Sequence, residues 1–133
     1  MSPNRRPELS SVAIEAKNVI KQYGSFRAVD GLNVDIETGG VVALLGPNGA
    51  GKTTFLKCIL GLIGFRGDIS VNGISVQDHG KEARRFVGYV PQNPSLYEGI
   101  SVNETLKFFA DVRGTPHGKI RELLEFVGLD LWG

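Results

Sequence analysis

Residues 46–53, with the sequence GPNGAGKT, have the residue types and spacing that suit the binding of phosphate. They match the pattern G-x-x-x-x-G-K-S/T, in which glycines let backbone N–H groups curl around an anion without interference from side chains. Lys52 adds a positive charge, and the hydroxyl of Thr53 is placed to ligate Mg²⁺. These residues therefore predict a triphosphate-binding loop. The simpler alternative is a glycine-rich turn that binds nothing.

The segments on either side of this loop predict the elements that would position it. Residues 41–45, VVALL, are apolar on both faces, as expected for a strand buried in a parallel sheet. Apolar residues recur at helical spacing over residues 53–63, and Gly64 predicts the end of that helix. A helix that starts at the loop aims its N-terminal N–H groups at an anion. This order of elements favours phosphate binding over an empty turn.

The first half of the chain otherwise has the pattern of a β layer. After a polar N-terminal arm at residues 1–11, alternation of apolar and polar residues predicts strands over residues 12–19 and 27–36. The turn between them predicts an antiparallel unit. An Asn-Gly pair within residues 68–76 predicts a β-hairpin, because this dipeptide suits the tight turn between two antiparallel strands.

The second half of the chain predicts one strand followed by helices. Residues 86–90 predict a strand, and residues 101–113 and 118–127 predict two helices. The first helix carries an N-terminal signal, because Ser101 is followed three residues later by Glu104. That spacing predicts a capping box, in which each side chain binds the backbone of the other residue.

Composition narrows the classes of protein that remain. The chain has 133 residues, 41% hydrophobic and 22% charged, which suits one globular domain. With 15 Lys and Arg against 14 Asp and Glu, the net charge is only +1, so no basic excess points to nucleic-acid binding. Cys58 is the single cysteine, which favours a reducing compartment. No apolar run approaches the ~20 residues of a membrane span, and residues 1–8 are not a secretory signal.

The motifs together resemble ATP-binding-cassette ATPases, the nucleotide-binding subunits of ABC transporters. Residues 46–54, GPNGAGKTT, have the wording typical of that family. Tyr23 lies 23 residues before the loop, where the family carries an aromatic residue that stacks on adenine. Gln92, in the sequence YVPQ after a predicted strand, resembles the family's Q-loop, and residues 101–109, SVNETLKFF, resemble the start of its helical subdomain. The resemblance covers about residues 12–129.

The resemblance implies the site residues and the cofactors, ATP and Mg²⁺. The implied nucleotide-binding residues are Tyr23, Ala28, Gly46, Pro47, Asn48, Gly49, Ala50, Gly51, Lys52, Thr53 and Thr54. Gln92 is implied as a catalytic residue that senses the γ-phosphate side through Mg²⁺ or the attacking water. Thr53 and Gln92 are the implied ligands of Mg²⁺.

The resemblance also implies a fold and a set of partners. The expected fold is α/β: a P-loop NTPase core with an incomplete parallel sheet, an N-terminal antiparallel β layer and the start of a helical subdomain. Residues 12–133 would be the N-terminal part of an ATP-binding domain, with the helical subdomain beginning near residue 101. The expected partners are ATP, a transmembrane permease subunit and a second ATPase subunit, at the cytoplasmic face of a membrane, with no nucleic acid. The wording is nearest to exporters.

Three parts of the family's catalytic machinery are absent from this sequence. It contains no LSGGQ-type signature, no apolar strand ending in Asp-Glu, and no switch histidine. Asp130 is followed by Leu131 where the glutamate should be, and His117 follows Gln92 too closely to be the switch. We therefore expect the N-terminal part of such an ATPase, as a truncated gene product or an expressed fragment.

Several functional hypotheses remain open from the sequence. The chain is part of an ATPase that couples hydrolysis to transport, or a nucleotide-binding remnant without hydrolysis, or a half-domain that needs a second chain. A different P-loop protein, such as a GTPase or a kinase, is a weaker alternative. Against the GTPase stands the absence of an N/T-K-x-D base-reading motif from the sequence.

Overall fold

The structure is a computed structural model that describes residues 8–47 and 49–129. The chain divides into two compact units between Tyr89 and Val90. The first unit carries a β-sheet and the glycine-rich loop, and the second carries helices. Asp130, considered above as a possible acidic residue of the site, lies outside the described residues.

The sheet of the first unit has four strands, and every neighbouring pair in it is antiparallel. The strands are β1 (Val12–Tyr23), β2 (Phe26–Glu37), β3 (Arg66–Val71) and β4 (Ile74–Ser75), in the spatial order β2-β1-β3-β4. The predicted antiparallel layer and the hairpin are confirmed. The first two strands extend beyond the predicted bounds, up to the two-residue turn that joins them.

Helices follow the loop and the hairpin. In the first unit these are α1 (Lys52–Ile59) and α2 (Val76–Ala83), and α2 continues into a short 3₁₀ turn at Arg84–Phe86. The second unit contains α3 (Val102–Arg113) and α4 (Gly118–Phe126), which contact each other. Both predicted helices of the second unit are confirmed, as is the capping box at the start of α3.

The core of the first unit lies between α1, α2 and the sheet. Three residues of α1 at i, i+3 and i+4 spacing, Phe55, Cys58 and Ile59, are buried on one face. They meet buried residues of the strands, among them Val19 and Ile69, which are almost wholly inaccessible. This packing fixes α1, and therefore the loop that precedes it, against the sheet.

The two predicted strands at residues 41–45 and 86–90 are wrong as strands in this structure. Both segments lie outside helices and strands, apart from Phe86, which ends the 3₁₀ turn. In the first segment Val41 is 99% exposed and Leu45 is 88% exposed. A strand exists only where a neighbour accepts and donates its hydrogen bonds, and the described residues provide no such neighbour for these two segments.

Helix α1 ends earlier than the pattern over residues 53–63 predicts. Gly61 has a φ of +66°, a left-handed conformation that suits glycine. Its N–H donates to the Cys58 carbonyl at 3.0 Å, and the Leu62 N–H donates to the Lys57 carbonyl at 3.0 Å. This pair of bonds is a Schellman motif, which ends the helix three residues before the predicted stop at Gly64.

Candidate functional site

The glycine-rich loop closes on itself just before α1. The Ala50 N–H donates to the Pro47 carbonyl at 3.1 Å, which makes a tight turn within the loop. A Cβ atom built on Gly46 would come within 3.1 Å of the Ala50 Cβ. The first and fifth residues of the motif are therefore in close approach, as a loop that wraps an anion requires.

Gly51, the second fixed glycine of the motif, is required by two independent constraints. Its φ is +89°, and a Cβ atom placed on it would lie 1.9 Å from the Ala28 carbonyl oxygen of β2. The pairing of β1 with β2 shifts here, because Lys21 pairs with Val29 and Gln22 pairs with Arg27. Ala28 is thus the extra residue of a β-bulge, and its carbonyl abuts the loop.

Lys52 folds back over the loop that it follows. Its ammonium group donates to the carbonyl oxygen of Gly46 and to that of Pro47, the latter at 3.1 Å. The charge is thereby held beside the first two residues of the motif rather than extended into solvent. A phosphate group within the loop would meet this positive charge together with the loop amides.

The N-terminus of α1 presents donors and no acid. Its N-cap residue, Gly51, supplies no side-chain cap, and the first turn contains no acidic residue. The first N–H groups of a helix have no partner within the helix, and the helix dipole favours an anion beside them. Thr53 is exposed and Thr54 is half-buried in this first turn. The hydroxyl group of Thr53 is thus available at the end of the helix that faces the loop.

A cavity of about 190 Å³ brings part of the predicted set together. The predicted residues that line it are Ala28, Ala50, Gly51 and Lys52. Its remaining lining comes mainly from apolar side chains of β2, α1 and the segment at residues 41–45. The strand residue Ala28 and the loop therefore belong to one concave surface.

Tyr23 does not line that cavity. It is the last residue of β1, pairs with Phe26 across the turn, and is 50% exposed. The Lys21 ammonium lies 4.9 Å from the centre of the Tyr23 ring. Lys21 was not among the predicted site residues, although strand alternation places residues i and i+2 on one face and indicates such a contact.

Two of the predicted site residues cannot be joined to the loop by geometry. Gln92 lies in the second unit, exposed and outside helix and strand. Asn48 lies outside the described residues. The remaining predicted residues lie in the first unit.

Cys58, near the end of α1, belongs to the core of the first unit. It is fully buried, and burial raises the pKa of its thiol, an effect that the charge of Lys21 partly opposes. A neutral thiol in the core is usual, because free cysteine is among the most buried residue types. Within residues 8–47 and 49–129, no group of three or more His, Cys, Asp or Glu residues could hold a metal ion.

The match to a known protein family covers most of the chain. A family described as ABC transporter matches residues 29–132, which include the loop, α1 and both helices of the second unit. The chain belongs to the ABC transporter family. Relatives in this family are named as ATP-binding proteins, so the resemblance to ATP-binding-cassette ATPases is confirmed.

Two bacterial proteins illustrate the curated relatives of this ABC transporter chain. It is 38% identical over 121 residues to YbhF of Escherichia coli, a probable multidrug ABC transporter ATP-binding protein, covering 87% of this chain and 21% of the relative. It is 37% identical over 128 residues to the sulfate/thiosulfate import ATP-binding protein CysA of Bradyrhizobium diazoefficiens, covering 90% and 37%. This ABC transporter chain therefore spans well under half the length of these relatives.

A solved structure supports the fold of the ABC transporter chain. The ATP-binding subunit of an ABC transporter superposes with a TM-score of 0.78 and 32% sequence identity, covering 89% of this chain and 51% of the other. The α/β fold expected from the sequence is thereby confirmed. Among the described helices, none combines the length and the apolar character that crossing a membrane requires.

Proposed function

We propose that this chain binds ATP with Mg²⁺ through residues 46–54, as the nucleotide-binding component of an ABC transporter. The single observation that supports this best is the fold of Lys52 over the closed loop at the start of α1. In this arrangement the loop amides and Lys52 bind the phosphates, and the dipole of α1 adds to the attraction. Membership of the family supports the choice of an adenine nucleotide.

The adenine and ribose part of the nucleotide would meet the β layer. Tyr23 is proposed to stack on the base, because its ring is half-exposed at the end of β1. Ala28 is proposed to line the same site, supported by its place beside Gly51 in the cavity. Asn48 is proposed as a further loop contact on the strength of the motif alone.

The donor chemistry of the residues fits Mg²⁺. This small, hard cation takes oxygen ligands, and it is commonly held by substrate phosphates with few protein groups. The Thr53 hydroxyl, exposed in the first turn of α1, and the amide oxygen of Gln92 are such ligands. When bound, the ion neutralises charge on the phosphates. Gln92 is also proposed to position the attacking water in the complete protein.

Hydrolysis coupled to transport is proposed for the complete protein, at the cytoplasmic face of a membrane. A second ATPase subunit and a transmembrane permease are the proposed partners, as is general for this family. Residues 12–133 are proposed as the N-terminal part of the ATP-binding domain, with its helical subdomain beginning near residue 101. The start of α3 at Val102, in the second compact unit of the chain, supports this boundary.

The direction of transport is not part of the proposal. The relative named for multidrug transport and the relative named for sulfate/thiosulfate import are 38% and 37% identical to this chain. Identity at this level does not separate export from import, so the likeness to exporters remains an expectation from the sequence.

Substitution of Lys52 tests the proposal. Lys52→Ala removes one charged donor to phosphate, and such bonds contribute about 1.5–3 kcal/mol, so ATP affinity should fall by about tenfold or more. Isothermal titration of the purified chain with ATP and Mg²⁺ measures this change. Circular dichroism checks that the variant keeps its secondary structure.

A second lysine of the same helix provides the matched control. Lys57 is exposed in the last turn of α1, at the end opposite the loop, so Lys57→Ala should bind ATP as the wild type does. Equal ATP affinity in the wild type and in Lys52→Ala would contradict the assignment. Equal losses of ATP affinity in both lysine variants would show that the effect comes from the net charge of the chain and not from the position of Lys52.

A further inference from the structure

Lys21 and Tyr23 form a pair at the end of β1. The ammonium of Lys21 lies 4.9 Å from the centre of the tyrosine ring, within the range of a cation–π interaction. In a strand, residues i and i+2 project to the same face about 7 Å apart, which lets the lysine reach the ring. Within residues 8–47 and 49–129, Lys21 makes no ion pair with a carboxylate.

The backbone around Tyr23 is held on both sides. Tyr23 pairs with Phe26, and the Gln22 amide donates to the Gly24 carbonyl at 2.6 Å, which braces the turn. Lys21 itself is half-buried and pairs with Val29. With the backbone fixed, the freedom left to Tyr23 is the rotation of its side chain, and the cation restrains that rotation.

An aromatic ring has two faces, and the lysine covers one of them. Tyr23 remains 50% exposed, so its ring is still accessible to a flat partner. A ring that is already oriented pays less conformational entropy when it stacks on a base. A cation on one face also draws electron density from the ring, which favours stacking of an electron-rich purine on the other face.

We infer that Lys21 is a positioning residue for the base of the bound nucleotide, acting by orienting Tyr23. This inference rests on the proposed function, because it requires that a nucleotide binds and that Tyr23 stacks on its base. It assigns Lys21 to the base and not to the phosphates. The two assignments give different results with a ligand that has phosphates and no base.

The test compares ATP with inorganic tripolyphosphate, each titrated calorimetrically into the 133-residue chain in Mg²⁺. Lys21→Met keeps the length of the stem and removes the charge, whereas Lys21→Arg keeps a cation over the ring. The free energy of an exposed cation–π contact corresponds to a change of about two- to fivefold in affinity. Lys21→Met should therefore weaken ATP by this factor and leave tripolyphosphate unchanged, and Lys21→Arg should match the wild type.

The controls separate the base from the phosphates and from the fold. Lys17 is an exposed lysine of the same strand, and its side chain pairs with Glu15. Lys17→Met should leave the affinities for ATP and for tripolyphosphate unchanged. In a Tyr23→Ala background, Lys21→Met should have no further effect on ATP, because its only route to the base is then gone. Circular dichroism confirms that the variants are folded.

Three outcomes overturn the inference. One is unchanged ATP affinity in Lys21→Met, and another is an equal loss for ATP and tripolyphosphate, which would place Lys21 near the phosphates. The third is a persistent effect of Lys21→Met in the Tyr23→Ala background. In these cases the wild type still binds ATP and the proposed function stands. Failure of the wild-type chain to bind ATP would overturn the proposed function and this inference together.

Discussion

At the scale of single residues, Gly51 of the loop lies against the backbone of Ala28 in the β-bulge. A Cβ atom at Gly51 would lie 1.9 Å from the Ala28 carbonyl oxygen, which is backbone and cannot rotate away. The same glycine has a φ of +89°, so conformation and contact both exclude a side chain. The second fixed glycine of the motif therefore serves the packing of the loop on β2, in addition to its proposed part in binding an anion.

Alanine variants of two loop glycines test the conformation and the contact separately. We expect Gly51→Ala to destabilise the fold more than Gly49→Ala. Gly49 has a φ of +84°, and a Cβ atom built on it meets nothing within 4 Å. Gly49→Ala should lower the free energy of unfolding by about 1 kcal/mol, the cost of a left-handed residue with a side chain. Gly51→Ala adds the steric contact and should cost a further ~1–3 kcal/mol. Urea unfolding of both variants measures the difference.

Equal costs for the two alanine variants would show that the loop moves away from β2 without penalty. The contact with Ala28 would then have no part in stability. A larger cost at Gly49 would contradict the assignment of the close approach.

At the scale of elements, α3 begins with a complete capping box. The Ser101 hydroxyl accepts from the Glu104 N–H at 3.2 Å, and the Glu104 carboxylate accepts from the Ser101 N–H at 3.0 Å. The backbone hydrogen bond from Ser101, followed by the one from its hydroxyl, lowers the pKa of Glu104. This element was predictable because both partners lie within four residues.

The lowered pKa of Glu104 predicts how acid affects α3. A carboxylate with a depressed folded pKa adds stability above its unfolded pKa, about 4.3 for glutamate. That contribution is lost as the pH falls through the lower folded value. The stability of α3 should therefore fall more between pH 6 and pH 3 in the wild type than in Glu104→Gln. Urea titration at each pH, followed by ellipticity at 222 nm, measures this difference.

Glu98 provides the control for this pH dependence, because it is exposed and precedes the box. Glu98→Gln should keep the acid sensitivity of the wild type. If Glu104→Gln and Glu98→Gln respond to acid alike, the box does not stabilise α3 through the charge of Glu104.

At the scale of the whole molecule, the segment at residues 41–45 is the largest departure from expectation. Its valines and leucines are exposed, with Val41 at 99% and Leu45 at 88%. Exposed contiguous apolar residues favour association with other surfaces. The chain spans 21% and 37% of the two relatives described above and 51% of the solved subunit.

The 133-residue chain should therefore associate with itself as its concentration rises. The double substitution Val41→Lys and Leu45→Lys should reduce association, because each places a charge on the apolar segment. Sedimentation velocity at several concentrations measures the change. Leu9→Lys, at an exposed apolar residue elsewhere in the first unit, is the control and should associate as the wild type does. A monomeric wild type at all concentrations would contradict the prediction.

The sequence by itself determined the features that depend on neighbouring residues. The hairpin turn and the capping box of α3 need only a few consecutive residues, and both were confirmed. The phosphate-loop pattern is equally local, and its binding of phosphate stays a prediction. The family followed from the same local motifs and their spacing. The nucleotide roles of individual residues in the loop, of Tyr23 and of Gln92 remain predictions.

Only the tertiary structure decided the features that join distant segments. Apolar character at residues 41–45 predicted a buried strand, but a strand needs a partner for its hydrogen bonds, and composition cannot supply one. The contact of Gly51 with Ala28 and the approach of Lys21 to Tyr23 depend on the register of β1 against β2 and on the bulge between them. A shift of register by one residue would move every side chain of a strand to the other face, and long-range packing decides that register.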